Sequence, residues 1–391
     1  MFAPNTKIDG LTGDSVHLRE IAENLSRLDH EIIVICNLRN SYHNISGIEV
    51  KKISFPFIAP FVGGIITCIK ILLVWKPDAI YVRGLNLGGA FLFRLFKSKI
   101  IVEINEILGE EIKISKESIR NNRIDRFIWR KLLNRVRLWS WMESIRISDK
   151  VITVTPNIKE YILKNYSINN DDIEVISNGA NTSIFRPMEQ NNARERLSLD
   201  RNALYTCFVG NLVEWQGVEI LINAIPSVLN ECSNARFLIL GDGPLRNDLE
   251  ILAKALKVYD KIDFKGFVQY LEVPFYINSS NLCVAPFIKD RNQITGLSPL
   301  KVYEYLSCGK PVISSNISGI RDIFDESKCG FLVEPEESTE LAKAIVRMLK
   351  NKDLQSQMGL NGRRYIVENH SWTVAALKVS NICNRLKYEA G

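Results

Sequence analysis

Short, nearly continuous apolar runs alternate with amphipathic segments along this chain, and the pattern runs twice. Leu18, Ile21, Ala22, Leu25 and Leu28 recur at helical spacing over residues 15–28, and the β-branched run Glu31–Cys36 (EIIVIC) follows. Ala79–Arg83, Lys99–Ile104 and Lys150–Thr155 are further strands of the first half. The second half opens with strand Leu204–Gly210 and helix Val218–Leu229, then strand Arg236–Gly241 and helix Leu245–Leu256. Strands Ile262–Phe267 and Leu282–Phe287, helix Pro299–Cys308, strand Pro311–Ser315 and helix from Thr339 onward complete it. Apolar strands separated by helices belong to parallel sheets covered on both faces. The polar stretch Asn178–Asn202, with Pro187, Gln190, Asn191 and Asn192, reads as the linker. The expected class is α/β, with two Rossmann-like doubly wound parallel-sheet domains, residues 1–185 and 186–372, facing a cleft. In such sheets ligands bind outside the carboxyl ends of the strands.

Composition narrows the function classes. With 391 residues, 46% hydrophobic and 24% charged, the chain is an ordinary globular one, which excludes disorder, collagen and coiled coil. A net charge of +6 suits an anionic ligand or a membrane surface and is too weak to argue for nucleic acid. The eight cysteines include no C-x-x-C pair, and the four histidines show no metal-ligand spacing. Several cysteines sit in apolar runs, as reduced core residues of a cytosolic protein do. G-x-S-x-G, G-x-x-x-x-G-K-[ST] and D-x-D are all absent, the last arguing against a carboxylate pair that holds Mg²⁺ or Mn²⁺ on a diphosphate. Met1–Asn5 is expected to be the tail of a buried first strand rather than a leader, either a short strand or the mark of a gene start set too late. Residues 57–75 (FIAPFVGGIITCIKILLVW) are long enough to span a bilayer, yet Lys70, Pro60 and Gly63-Gly64 point to a buried or interfacial helix.

The strongest chemical signal lies at residues 291–315, RNQITGLSPLKVYEYLSCGKPVISS. Ser298 is a good N-cap, Pro299 suits the first helical position, and Gly309 and Pro311 stop the helix, so a helix is expected over 299–308. Its first turn holds Lys301 rather than an acid, which opposes the helix dipole by about 0.3–1 kcal/mol. A diphosphate held at Leu297, Ser298, Pro299 and Lys301 would compensate, since open N–H groups and the ammonium both attract it. Glu304, one turn on, is placed to accept bonds from both hydroxyls of a ribose, each worth about 1.5–3 kcal/mol when charge-assisted. A solvent-facing Lys–Glu pair is the plain alternative.

Other loops follow strands. Gly210-Asn211-Leu212 and Trp215-Gln216-Gly217 let the backbone approach a phosphate. Gly241-Asp242-Gly243-Pro244 opens a helix without being G-x-G-x-x-G, and a tight strand–helix turn is its alternative. In the first half, Gly10, Gly13 and Asp14 precede the first helix, and His17 in its first turn reads as structural. Glu103-Ile104-Asn105-Glu106 sets polar groups where an acceptor hydroxyl would sit, or forms a surface loop. Residues 113–150 hold eleven Lys or Arg against four acids, with Trp129, Trp139 and Trp141 among them. Such helices suit the face of an anionic membrane, the alternative being a helix that packs its tryptophans on its own domain.

Together these segments resemble the family 4 glycosyltransferases over nearly the whole length. The resemblance rests on GDSVHLREIAENLSRLDHEI, SNGANTSIFRP, FVGNLVEWQG, LILGDGPLRNDLE and, most specifically, SPLKVYEYLSCGKPVI, which matches a branch with a Pro-Leu-Lys-x-x-Glu-Tyr signature. It implies the two-domain GT-B fold, with a final helix over 373–391 returning to the first domain. It also implies transfer of a sugar from a nucleotide-sugar with retention and without a required metal. Glu304 matches the second Glu of the family's E-x7-E motif, whereas the first falls on Gly296. Asn211 and Gln216 stand where the family often has Arg and Lys on the diphosphate, which makes Lys301 the candidate cation. Asn105, Glu106 and Arg83 fall where other members show acceptor-side histidines.

The expected function is hexosyl transfer to a lipid-linked or polysaccharide acceptor in cell-surface polysaccharide synthesis. Lys301, Glu304, Asn105 and Glu106 are the catalytic candidates. Gly13, Gly210, Asn211, Gln216, Gly241, Asp242, Gly243 and Leu297–Pro299 join Lys301 and Glu304 in holding the donor. No cofactor, metal or nucleic acid is expected. The location expected is cytoplasmic, peripheral on the inner membrane face through residues 113–150. A non-catalytic nucleotide-sugar binder and another GT-B enzyme, such as a sugar epimerase, are the alternatives.

Overall fold

The computed structural model describes residues 1–10, 12–37, 47–52, 69, 73–83, 98–108 and 124–388. Two compact units divide the chain: Met1–Ser177 with Trp372–Gly391, and Asn178–Ser371. Most of the apolar segment 57–75, and residues 113–123 of the basic stretch, lie outside the described residues. Among those described, no helix is long and apolar enough to cross a membrane.

Unit 1 opens with β1 (Phe2–Lys7), α1 (Gly13–Arg27), β2 (Ile32–Asn37) and β3 (Ile48–Lys52). Next come β4 (Ala79–Arg83), β5 (Lys99–Ile104), α2 (Ile124–Ile147), β6 (Lys150–Thr153), α3 (Pro156–Asn165) and β7 (Ile173–Val175). The strands form one parallel sheet in the order β3-β2-β1-β4-β5-β6-β7. The strand order therefore reverses between β1 and β4. β-Branched residues such as Ile100, Ile101, Val102 and Val151 are buried because helices cover a sheet of this kind. Thr155 caps α3 by accepting from Ile158 N, with Pro156 in the first turn.

Unit 2 begins with α4 (Gln190–Arg196), β8 (Leu204–Val209), α5 (Val218–Glu231), β9 (Ala235–Leu240) and α6 (Arg246–Ala255). It continues through β10 (Ile262–Gly266), α7 (Val273–Ser279), β11 (Leu282–Ala285), α8 (Asp290–Thr295) and α9 (Leu300–Ser307). β12 (Val312–Ser315), α10 (Ile320–Ser327), β13 (Gly330–Val333), α11 (Ser338–Leu349) and α12 (Lys352–Asn369) close it. Its parallel sheet runs β10-β9-β8-β11-β12-β13, with the reversal between β8 and β11. Alternate side chains of each strand enter opposite layers. Phe208, Ile239, Val284 and Ile313 pack with Leu221, Ile225, Leu341 and Ile345 on one face. Cys207, Leu240, Cys283 and Val312 pack with Ile277, Val302, Leu306 and Ile366 on the other.

The last helix, α13 (Trp372–Tyr388), belongs to unit 1 and packs along α1. Thr373 Oγ1 meets Asn24 Oδ1 at 2.9 Å, and His30 Nε2 lies 2.7 Å from Ser380 Oγ. Trp372 is buried edge-on to His17, with ring centroids 4.9 Å apart. All seven cysteines described are unpaired, and six are buried. Burial pushes the thiols of Cys283, Cys308 and Cys329 up, so they stay protonated and unreactive.

The polar stretch 178–202 is built into unit 2 rather than strung out as a linker. Its polar residues satisfy buried backbone. Arg194 is almost fully buried and donates to Ser279 O at 2.9 Å, Arg201 O at 2.6 Å and Asn281 Oδ1 at 3.0 Å. Arg194→Ala strands those acceptors and should lower unfolding free energy by about 2–4 kcal/mol in urea titration. Arg201→Ala, at an exposed side chain, should change it by less than about 0.5 kcal/mol.

Candidate functional site

The carboxyl ends of β8 and β11 flank the reversal point of unit 2, the place where an open parallel sheet leaves room for a ligand. β8 delivers Phe208 and then Gly210, β11 leads into Phe287, and α9 sends Lys301 back between them. The Lys301 ammonium donates to Gln216 Oε1. It sits 3.9 Å from the Phe208 ring centroid and 5.3 Å from that of Phe287. A Cβ on Gly210 would crowd Lys301 Nζ, and Gly210 has φ +153°, a conformation that favours glycine. Burial pushes the Lys301 pKa down to about 7, against the opposing pull of the Glu304 carboxylate and then the Cys207 thiol. Glu304, one turn on, is as buried as Lys301 itself.

The start of α9 differs from its expected form. Pro299, with φ −85° and ψ 111°, is the N-cap, α9 begins at Leu300, and no side chain caps it. The Ser298 hydroxyl does not cap the helix because it accepts from Asn178 N at 2.8 Å instead. Val302 N donates to Pro299 O at 3.0 Å, which leaves the Leu300 and Lys301 N–H groups to a ligand or to water. Leu297 N is fixed on Ser318 O at 3.0 Å. Gly296 has φ +65° and ψ 174°, a conformation essentially confined to glycine. The missing first Glu of E-x7-E is therefore accompanied by a backbone that a Glu would not adopt.

Asn211, Gly241, Asp242 and Gly243 form one packed pair of loops. Leu212 N donates to Asp242 O at 2.9 Å, and Leu245 N donates to Leu212 O at 3.1 Å. Asp242 is exposed, and its carboxylate accepts from Gly243 N at 2.8 Å. The structure so gathers Gly210, Gln216, Lys301 and Glu304 around one point, with Leu297–Pro299 leading into α9 and the Asn211 and Gly241–Gly243 loops beside β8. Gly13, Asn105 and Glu106 lie in unit 1, Gly13 exposed at the first position of α1 and the others half-buried just after β5.

Unit 1 holds a charged cluster at its own reversal point that the motif reading did not assemble. Glu103 is buried and accepts from Arg83 Nε at 2.8 Å and from Tyr81 OH, and it faces His17 Nε2 at 2.9 Å. Arg83 also reaches Asp14 Oδ1 at 3.0 Å and the Asp14 carbonyl at 3.2 Å. Burial pushes the Arg83 pKa down and the Asp14 carboxylate holds it up. His17 is thus part of a network rather than a lone core residue. Polar residues at the ends of otherwise apolar strands are its signal, but only the register that pairs Arg83 with Glu103 joins them. Among the described residues, no three His, Cys, Asp or Glu side chains gather as a metal cage.

Two family models match the chain: "Glycosyltransferase Family 4" over residues 12–184 and "Glycosyl transferases group 1" over residues 189–365. An uncharacterized glycosyltransferase of Methanocaldococcus jannaschii is 27% identical over 390 residues, covering 95% of this chain and 93% of the relative. A GDP-mannose-dependent alpha-(1-6)-phosphatidylinositol monomannoside mannosyltransferase of Mycobacterium tuberculosis is 27% identical over 214 residues, 54% of this chain and 55% of the relative. Among solved structures, sucrose-phosphate synthase from Thermosynechococcus elongatus superposes with TM-score 0.77 at 18% identity, covering 97% of this chain and 94% of that one.

Lys301 carries a pH signature. Its folded pKa of about 7 lies below the ordinary 10.5, so the unfolded chain binds the extra proton between those values. The burial penalty is full below about pH 7 and fades as pH rises toward the unfolded value. Lys301→Met should therefore raise the urea midpoint most at about pH 6 and least at about pH 9. Lys310, pushed down to about 8 by burial, contributes equally to both proteins. A midpoint that falls in the variant at pH 6 would count against a strained ammonium.

Proposed function

As the chain belongs to the family 4 glycosyltransferases and has their GT-B fold, we propose that it moves a sugar from a nucleotide-diphosphate-sugar to a lipid-linked or polysaccharide acceptor. Transfer retains the anomeric configuration and requires no metal. The observation that carries this reading is the Lys301 ammonium, held between Phe208 and Gln216 beside the uncapped start of α9. Two kinds of positive end point to one spot, which is what a diphosphate needs. The mannosyltransferase of M. tuberculosis, with its GDP-mannose donor and phosphoinositide acceptor, supports both the donor class and the lipid-linked acceptor.

The chemistry follows from where charge develops. As the bond from the sugar's anomeric carbon to the phosphate oxygen breaks, negative charge collects on the diphosphate and the sugar becomes cationic. Lys301 and the α9 N–H groups stabilise that charge most at the transition state. Glu304 takes the ribose hydroxyls, and Asn211, Gln216 and the Gly241–Gly243 loop complete the donor site. Asn105 and Glu106 orient the acceptor, with Gly13 at the start of α1. The acceptor oxygen bonds the anomeric carbon on the face the diphosphate leaves, and its proton passes to the departing phosphate oxygen.

The protein works on the cytoplasmic side, peripheral on the inner membrane face. In α2 Arg135 and Trp139, one turn apart, are both exposed and support contact with anionic lipid, while Trp141 packs inward as a core residue.

Thermal shift in EDTA with UDP-glucose, UDP-galactose, UDP-N-acetylglucosamine and GDP-mannose tests the site. A donor at 100 times its dissociation constant adds about 2.7 kcal/mol to wild type, and Glu304→Ala should abolish most of that gain. Stabilisation seen only with Mg²⁺, or kept in Glu304→Ala, overturns the assignment. Product analysis by NMR should show the donor's own anomeric configuration in the new linkage.

A further inference from the structure

Asn178, the first residue of unit 2, grips the loop ahead of α9 twice. Its backbone N–H donates to Ser298 Oγ at 2.8 Å, and its side-chain Nδ2 donates to the Ser298 carbonyl at 2.8 Å. The Ser298 hydroxyl also meets Tyr303 OH, a residue of α9, at 3.2 Å. Tyr303 stacks on His370, with ring centroids 4.9 Å apart and planes 11° from parallel. The His370 carbonyl accepts from Ala180 N at 2.9 Å, and Ala180 and Ser371 form a β-bridge. The contacts return to within two residues of where they began. They make a closed ring through Asn178, Ser298, Tyr303, His370 and Ala180.

This ring sets two features of the donor site. It turns the Ser298 hydroxyl away from the start of α9, which leaves the helix without a side-chain cap. It also pins the Ser298 carbonyl, and with it the peptide that joins Ser298 to Pro299. The proline ring fixes the next φ, so the direction in which α9 sets out is inherited from that peptide. Lys301 lies within the first turn. A small rotation of the Ser298 peptide would move both the open N–H groups and the ammonium.

We infer that Asn178 is a positioning residue of the donor site: it holds Ser298 so that the first peptides of α9 and the Lys301 ammonium meet the diphosphate together. This rests on the donor site described under the proposed function. Asn178 acts through Ser298. Asparagine is needed for its N–H₂ group. An aspartate of the same shape would set a carboxylate oxygen against the Ser298 carbonyl.

The test uses the full chain with Asn178→Asp, Asn178→Ala and Asn278→Ala. Asn278 is fully buried in unit 2, bonded to Met188 N, Arg186 O and Pro274 O, and serves as a purely structural comparison. Each protein is titrated with UDP, GDP, ADP and dTDP, and its unfolding midpoint is measured without nucleotide. Both Asn178 variants should bind wild type's preferred diphosphate about tenfold more weakly, as the loss of the Nδ2 bond to the Ser298 carbonyl implies. Their KM for the matching nucleotide-sugar should rise in step. Asn278→Ala should lower the midpoint and leave affinity unchanged. Asn178→Asp keeps the test open should Asn178→Ala fail to fold. Wild-type affinity in Asn178→Asp overturns the inference and leaves the donor site standing. A wild-type chain that binds none of the four overturns the donor site and this inference with it.

Discussion

An ammonium group loses much hydration energy when it leaves water, and the second unit accepts that cost at Lys301. The neighbourhood is arranged around it. Phe208 and Phe287 supply ring faces, Gln216 supplies an acceptor, Glu304 supplies an opposing charge, and Gly210 leaves out the side chain that would collide. None of these is what stability alone would select. A hydrophobic residue at 301 would satisfy the same packing without the desolvation cost. The arrangement becomes favourable where an anion supplies the interactions that burial removes, which is the role proposed for the donor diphosphate.

The sheet architecture was legible because parallel strands must be apolar on both faces. β4, β5 and the strands of unit 2 stand out as apolar runs, and their limits agree with the structure to within two residues. Local chemistry misled where a polar residue had a distant partner. Ser298 has the right type and place for an N-cap, yet its hydroxyl belongs to Asn178, 120 positions away. The polar composition of 178–202 suggested a solvated linker. Arg194 and Asn181 instead satisfy backbone groups inside unit 2. Such pairings follow from tertiary contact and leave no periodic trace.

The candidate site was legible in the same uneven way. Lys301 and Glu304 stand one turn apart on a helix with clear stop signals, so local spacing was enough. The cluster of Asp14, His17, Tyr81, Arg83 and Glu103 was not legible as a cluster. Its members come from α1, β4 and β5, and only strand register places Arg83 beside Glu103. Each unit thus keeps buried charge where its strand order reverses, since strand ends there leave space that side chains must fill.

The return of α13 to α1 affects the order in which the protein is made. Unit 1 is discontinuous, and nearly two hundred residues of unit 2 lie between its two parts. At about 5–20 residues per second, a ribosome needs about 10–40 s to pass through them. Throughout that interval the α1 surface that Trp372 and Val379 will cover stays open. Unit 2, a single uninterrupted segment, is complete before the helix that finishes unit 1 has emerged. The domain begun first is therefore the last to be finished, and a nascent chain that lacks α13 would expose an incomplete first domain to chaperones and proteases.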